Sequence, residues 1–136
     1  MLIRDWMTSS VISAKEDASM LKVSKLMQEH GIKRIPIVDD EMRLIGIVSD
    51  RDIKEASPSK ATTLDVHELS YLLSELKIKD IMTKNPVAVS SMDTIEQVAL
   101  IMLEKKLTGL PVVDWEKKLV GIITEADIFK IFTEIS

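Results

Sequence analysis

Residues Ile3–Lys54 and Ile78–Phe129 align at a constant offset of 75 positions without a gap. The matches include Asp5/Asp80, Met7/Met82, Thr8/Thr83, Val23/Val98, Met27/Met102, Pro36/Pro111, Asp39/Asp114, Gly46/Gly121 and Asp52/Asp127. A gapless register over about fifty residues marks an internal repeat. A unit this small cannot bury both its sheet and its helices alone, so the copies are expected to pack together. Any site should then occur twice, near the interface between copies. The expected division is repeat one over residues 1–56, a linker with a helix over 57–77, and repeat two over 78–136.

In the first copy, Val11-Ile12-Ser13-Ala14 predicts a short strand after a turn at Thr8-Ser9-Ser10. Asp17 can cap a following helix, its carboxylate accepting from free backbone N–H groups. Met20, Val23, Leu26 and Met27 fall on one helical face, and His30-Gly31 ends the helix. Ile35-Pro36-Ile37-Val38 and Leu44-Ile45-Gly46-Ile47-Val48 bracket Asp39-Asp40-Glu41, the pattern of two strands joined by a tight hairpin. Pro36 argues for an edge or strand-opening position. Ser49-Asp50-Arg51-Asp52 then opens a second helix. The order β-α-β-β-α recurs in the second copy, with a strand at Val87–Val89, a cap at Asp93 or Thr94, and a hairpin from Leu110–Val113 to Leu119–Ile123. A last helix carries Ile128, Ile131, Phe132 and Ile135. In the linker, Ser57-Pro58-Ser59 reads as a breaker. Thr62 or Thr63 can then cap a helix with Leu69, Leu72, Leu73 and Leu76 in a stripe.

Composition narrows the function classes. With a net charge of -4 and lysines interleaved with acids, the 136 residues give no basic face for a nucleic acid. The absence of cysteine excludes disulfides, thiol catalysis and Cys-based metal sites. Charge at Arg4 and Asp5 breaks the apolar run a signal peptide needs, and the apolar stretch Val98–Leu103 is far too short to span a bilayer. The reading is a cytoplasmic protein. His30 and His67 have no metal-ligand spacing. Four glycines, dispersed at 31, 46, 109 and 121, form neither a phosphate loop nor a dinucleotide fingerprint. No catalytic residue or metal ligand is assigned, and the chain is read as a non-enzyme.

The paired signal that remains is Gly46-Ile47-Val48-Ser49-Asp50-Arg51-Asp52 against Gly121-Ile122-Ile123-Thr124-Glu125-Ala126-Asp127. A hydroxyl residue followed three positions later by an acid resembles a capping box, which would only start a helix. The same geometry suits a ligand. A helix start after a strand offers free N–H groups to phosphate, the hydroxyl adds a donor, and the aspartate can accept both hydrogens of a ribose diol. Asp5/Asp80 and Met7/Met82 are read as structural, the acid capping a short turn and the methionine filling a gap.

Asp-x-Met-Thr at the start of each copy, Ile/Leu-Pro-Ile/Val-Val-Asp midway and Gly-h-h-Ser/Thr-x-x-Asp at the end resemble a CBS domain, and two in tandem resemble a Bateman module. More narrowly, Ser49–Asp52 running into Lys54-Glu55-Ala56-Ser57-Pro58-Ser59 and a linker helix is similar to the AcuB-like acetoin-utilisation proteins. Those usually continue into a C-terminal ACT-type domain, whereas this chain stops at Ser136.

The resemblance implies an α+β (mixed α/β) fold, with two pseudo-symmetric β-α-β-β-α repeats packed through their sheets. It also implies a regulatory module binding adenosine-containing molecules (AMP, ADP, ATP, NAD or S-adenosylmethionine) in clefts between the repeats, with no true cofactor. Carried over, Ser49 and Thr124 would face phosphate, and Asp52 and Asp127 would hold ribose. Adenine would lie among Val11, Ile12, Ile35 and Pro36 in one copy and Pro86, Val87, Leu110 and Pro111 in the other. Lys33 and Arg34 stand where relatives place basic residues toward phosphate, or are solvated surface charges; their counterparts are Thr108 and Gly109. The implied assembly is a homodimer, four repeats in a flat disk, with the linker leucines and the Phe129–Ile135 stripe at the contact and a separate effector protein downstream. The alternative is a structural dimerisation module whose motifs only cap helices.

Overall fold

Both repeats lay down the same elements, for local reasons visible residue by residue. The computed structural model describes residues 1–57 and 65–135. In chain order the elements are Ala14–Lys15 (β1), Met20–His30 (α1), Arg34–Val38 (β2), Leu44–Ser49 (β3), Asp50–Ala56 (α2), Val66–Glu75 (α3), Thr83–Lys84 (β4), Val89–Ser90 (β5), Ile95–Lys105 (α4), Gly109–Val113 (β6), Leu119–Thr124 (β7) and Glu125–Ile135 (α5). Short 3-10 turns occupy Ile3–Asp5 and Ile78–Asp80. The mixed α+β class and the two sheets match the expectation.

Several boundaries differ from it. The first strand of each copy is Ala14–Lys15 and Val89–Ser90, later than predicted, because its parallel partner Ile37–Val38 or Val112–Val113 fixes the register. The cap of α1 is Ser19, not Asp17: the Ser19 hydroxyl accepts the Lys22 N–H at 3.1 Å. In α4 the cap is Thr94, reciprocated by Gln97. Asp93 instead accepts the Ser90 N–H at 2.9 Å. Asp65 caps α3 through the Glu68 N–H. The expected caps Thr62 and Thr63, the breaker residues Pro58 and Ser59, and the Ile135 side chain lie outside what is described. Pro36 lies inside β2 rather than opening it, but at a local edge of the sheet. It pairs with Ile47 on one side, while β1 begins its pairing only at Ile37, so Pro36 has a strand partner on a single side.

The hairpins are closed by aspartate. Asp39 Oδ1 accepts the N–H groups of Glu41 and Arg43, both at 2.9 Å, and its Oδ2 accepts from Arg43 Nε at 3.0 Å. Asp114 repeats the backbone bonds with Glu116 and Lys118. Met42 and Lys117, equivalent turn residues, both adopt positive φ.

The packing does not follow the sequence boundaries of the repeats. One compact unit is Ile12–Pro86; the other joins Met1–Val11 to Val87–Ser136. The first unit carries a sheet of order β1-β2-β3-β4, the second a sheet of order β5-β6-β7. Each opening segment is thus exchanged. Ile78, which begins repeat two, is fully buried among Met20, Val23, Ile35, Val48 and Ile53, and its N–H donates to the Ala18 carbonyl at 2.8 Å. Ile3, which begins repeat one, is fully buried among Val89, Ile95, Val98, Leu110 and Ile123, and its N–H donates to Asp93 at 2.9 Å. Burying such a side chain contributes about 1.5–3 kcal/mol, enough to hold a segment of a few residues in place.

The linker helix α3 packs on α1 in the first unit, placing Leu73 against the core. Leu69, Leu72 and Leu76 of the predicted stripe stay more than a third exposed, and Val66 and Tyr71 more so. In α5, Ile128 and Ile131 are buried, whereas Phe129 and Phe132 face outward at 60% and 63% exposure.

Candidate ligand-binding site

Each unit contains one strand–helix corner, built by the same residues 75 positions apart. In the first unit, β3 ends at Ser49, which is also the cap of α2. The Asp52 N–H donates to Ser49 Oγ at 3.1 Å, and the Ser49 N–H donates back to Asp52 Oδ2 at 2.8 Å. The Asp50 N–H is taken by the Lys33 carbonyl at 2.8 Å, tying the helix start to the strand before it. In the second unit, Thr124 N–H donates to Asp127 Oδ2 at 2.9 Å, Asp127 N–H to Thr124 Oγ1 at 3.3 Å, and Glu125 N–H to the Thr108 carbonyl at 2.9 Å. The capping-box reading therefore holds in both copies, a feature usually contributing about 1 kcal/mol.

Capping does not exhaust either corner. Oδ1 of Asp52 and of Asp127 accepts no hydrogen bond among the described residues, so the cap uses only one oxygen of each carboxylate. The hydroxyls differ. Thr124 Oγ1 donates its proton to Asp127 Oδ2 at 3.0 Å, whereas the Ser49 hydroxyl has no acceptor among the described residues.

The strands place the other expected residues. Arg34 pairs with Ser49, Ile35 with Val48 and Pro36 with Ile47; Gly109, Leu110 and Pro111 pair in the same way with Thr124, Ile123 and Ile122. Ile35 and Leu110 point into the two hydrophobic cores, and Pro36 and Pro111 are also buried. Lys33 is exposed and Arg34 half-buried. Chain crossing regroups the rest. Ile12 and Pro86 belong to the unit of Ser49 and Asp52, while Val11 and Val87 belong to the unit of Thr124 and Asp127.

Charge separates the corners further. Around Ser49 stand Lys33, Arg34, Asp50, Arg51 and Asp52; the matching positions around Thr124 are Thr108, Gly109, Glu125, Ala126 and Asp127. The first set holds three cations and two acids, the second two acids and no cation. Arg51 is bound to Glu55 and Lys54 to Asp50, each at 3.1 Å. Both pairs are solvent-exposed and weak, so these groups can re-pair. With only seven residues, α2 offers little macrodipole, so any attraction for an anion here comes from side chains.

Residues 3–8 and 78–83 were underread in the sequence. Asp5 and Asp80 are exposed and make no capping bond; the turns are held instead by backbone bonds. Met7 and Met82 fill a gap as expected, but each against the other repeat's glycine. Met7 covers Gly121, and Met82 covers Gly46. The signal was present in the joint recurrence of the Met and Gly pairs, which are matched contact partners.

Among the described residues, no group of His, Cys, Asp or Glu could hold a metal ion, and no helix is long and apolar enough to cross a membrane. Residues 3–59 and 78–134 each match the CBS domain. The chain belongs to the CBS domain family. This tandem CBS pair is 30% identical over 131 residues to the L-aspartate semialdehyde sulfurtransferase of Methanocaldococcus jannaschii, covering 96% of this chain but only 23% of that one. It is 27% identical over 134 residues to a CBS domain-containing protein of Dictyostelium discoideum, covering 98% of this chain and 92% of the relative. Three solved structures share the fold of the CBS pair. One, a CBS domain pair in complex with 5'-methylthioadenosine and S-adenosyl-L-methionine, has a TM-score of 0.80 at 28% identity, covering 100% and 98% of the two chains. The CBS-pair protein CBSX2 of Arabidopsis thaliana, in complex with AMP, gives 0.81 at 32% identity, covering 98% and 97%. An acetoin utilization protein (AcuB) of Vibrio cholerae gives 0.81 at 29% identity, covering 99% and 92%.

Proposed function

We propose that this CBS pair is a regulatory, non-catalytic sensor of adenosine-containing metabolites, acting in the cytoplasm as a homodimer on a separate effector. The observation that carries the reading is the duplicated hydroxyl–aspartate corner with a carboxylate oxygen left over in each copy. A free carboxylate oxygen beside a cap is suited to a ribose diol, and relatives at 28% and 32% identity are bound to adenosyl ligands. Binding acts by population shift, the ligand favouring whichever arrangement of the chain it contacts best. Lys33, Arg34 and the undirected Ser49 hydroxyl favour a phosphorylated ligand at Asp52. The acidic corner at Asp127 favours an uncharged or cationic one. Outward-facing Leu100, Leu103, Phe129 and Phe132 on α4 and α5 supply the apolar surface a dimer would cover.

Calorimetry and thermal shift against AMP, ADP, ATP, NAD, S-adenosylmethionine and 5'-methylthioadenosine test the reading. Saturable binding, removed in part by Asp52→Ala and in part by Asp127→Ala with the fold intact, is the expected result. If no adenosyl compound binds, the corners only cap helices and the pair is a structural dimerisation module.

A further inference from the structure

The two segments that open the repeats do more than fill gaps, because each lies against the strand that ends at a corner. In the second unit, Thr8 and Ile122 exchange both backbone hydrogen bonds, at 2.9 and 3.0 Å. Ile122 is two residues before Thr124 on β7. One residue earlier in the strand, the Met7 side chain and the Thr8 carbonyl lie over Gly121 where a β-carbon would stand. In the first unit, Thr83 pairs with Ile47, two residues before Ser49 on β3, and Met82 lies over Gly46. Upstream, Ile3 and Ile78 anchor the segments in the respective cores. Three residues beyond Thr8, the chain leaves this unit at Val11.

We infer that Met7 and Thr8 are positioning residues for the Thr124–Asp127 corner, and Met82 and Thr83 for the Ser49–Asp52 corner. Each repeat then sets the geometry of the site carried by the other. The inference rests on the proposed ligand reading for its affinity readout, but not for its structural one. Physically, each corner's strand is paired along one edge by its hairpin partner, and the opening segment holds the other edge. Pairing at Ile122 and the Met7–Gly121 contact fix the strand from which the corner projects, and binding depends on how closely a site is held to its productive geometry.

The test crosses the repeats. Met7→Ala and Met82→Ala are made in wild type and in the Asp52→Ala and Asp127→Ala backgrounds, which leave one corner each. The expected results are that Met7→Ala weakens AMP or 5'-methylthioadenosine binding about fivefold where only the Asp127 corner remains and leaves the Asp52 corner unchanged, that Met82→Ala does the reverse, and that Met7→Leu restores affinity. Amide NMR shifts give a ligand-independent arm, Met7→Ala moving Thr124 and Asp127 but not Ser49 and Asp52. Perturbation of the corner in the same repeat, or equal perturbation of both, overturns the inference. Crossed amide shifts with no adenosyl binding would sustain the positioning and sink only the proposed function.

Discussion

The Met82 sulfur stands 2.5 Å from where a β-carbon on Gly46 would lie, with the Thr83 carbonyl oxygen at 3.2 Å from the same point. At Gly121 the Met7 sulfur takes that place and the Thr8 carbonyl oxygen is at 3.0 Å. Methionine can swing aside, but a carbonyl in a paired strand cannot. Gly46→Ala and Gly121→Ala are each expected to destabilise by about 1–3 kcal/mol, as overpacked sites do, measured by chemical denaturation. Gly121→Ala should cost more, and Met7→Ala should recover only part of it.

Exchange of Ile3 and Ile78 makes a second prediction. Ile3→Ala should destabilise by about 2–5 kcal/mol, the range for a buried large-to-small change. Amide exchange should accelerate first in residues 87–135, although the substitution is in repeat one. Ile78→Ala should loosen residues 12–57 in turn. Loosening confined to the mutated residue's own repeat would contradict the exchanged packing.

Selectivity can be moved between corners. Replacing Lys33-Arg34 by the second repeat's Thr-Gly should weaken ATP at the Asp52 corner about tenfold and flatten its salt dependence, because charges in reach of solvent act through a screened field. Affinity for 5'-methylthioadenosine should stay within about twofold, as that ligand brings no phosphate to lose. Calorimetry at two salt concentrations reads both numbers.

Asp39 should contribute a small, local part of the acid sensitivity. The Arg43 backbone N–H, helped by the Glu41 N–H and the Arg43 guanidinium, holds its carboxyl below the usual carboxylate range. A depressed folded pKa gives stability that is present above the unfolded value, near pH 4, and lost as pH falls through the folded one. NMR titration should place the Asp39 midpoint below that of a model peptide, and Asp39→Asn should remove this part of the acid-induced loss. The carboxyl is partly exposed, so the effect on the global transition is small.

Much of this was legible in the sequence because periodicity and turn chemistry are local. The Met20–Val23–Met27 face, the Gly31 terminus, the Asp39 hairpin and the Ser49/Asp52 box needed nothing beyond their neighbours. The crossing of the chain was not legible. When two repeats carry the same Ile-x-Asp-x-Met-Thr opening, the pattern fits its own core and the other equally well, and a gapless register cannot distinguish them. Ser19 displaced Asp17 as the cap for a related reason. The start of α1 coincides with the bridge between Ser19 and Lys77, a contact across 58 positions that no short window contains. At the corners, the residue types were readable but the hydroxyl directions were not, since only three-dimensional geometry shows Thr124 turned onto Asp127.

The exchanged openings also determine how completeness depends on concentration. Two unlinked single repeats, each with its first eight residues turned outward, would complete one another only by meeting, so the folded fraction would rise with dilution reversed. Carried on one chain, each partner segment is always present at the high local concentration set by the tether. Tethering thus turns an association equilibrium into a unimolecular fold, at the cost that no single cut in the chain can yield two self-sufficient halves.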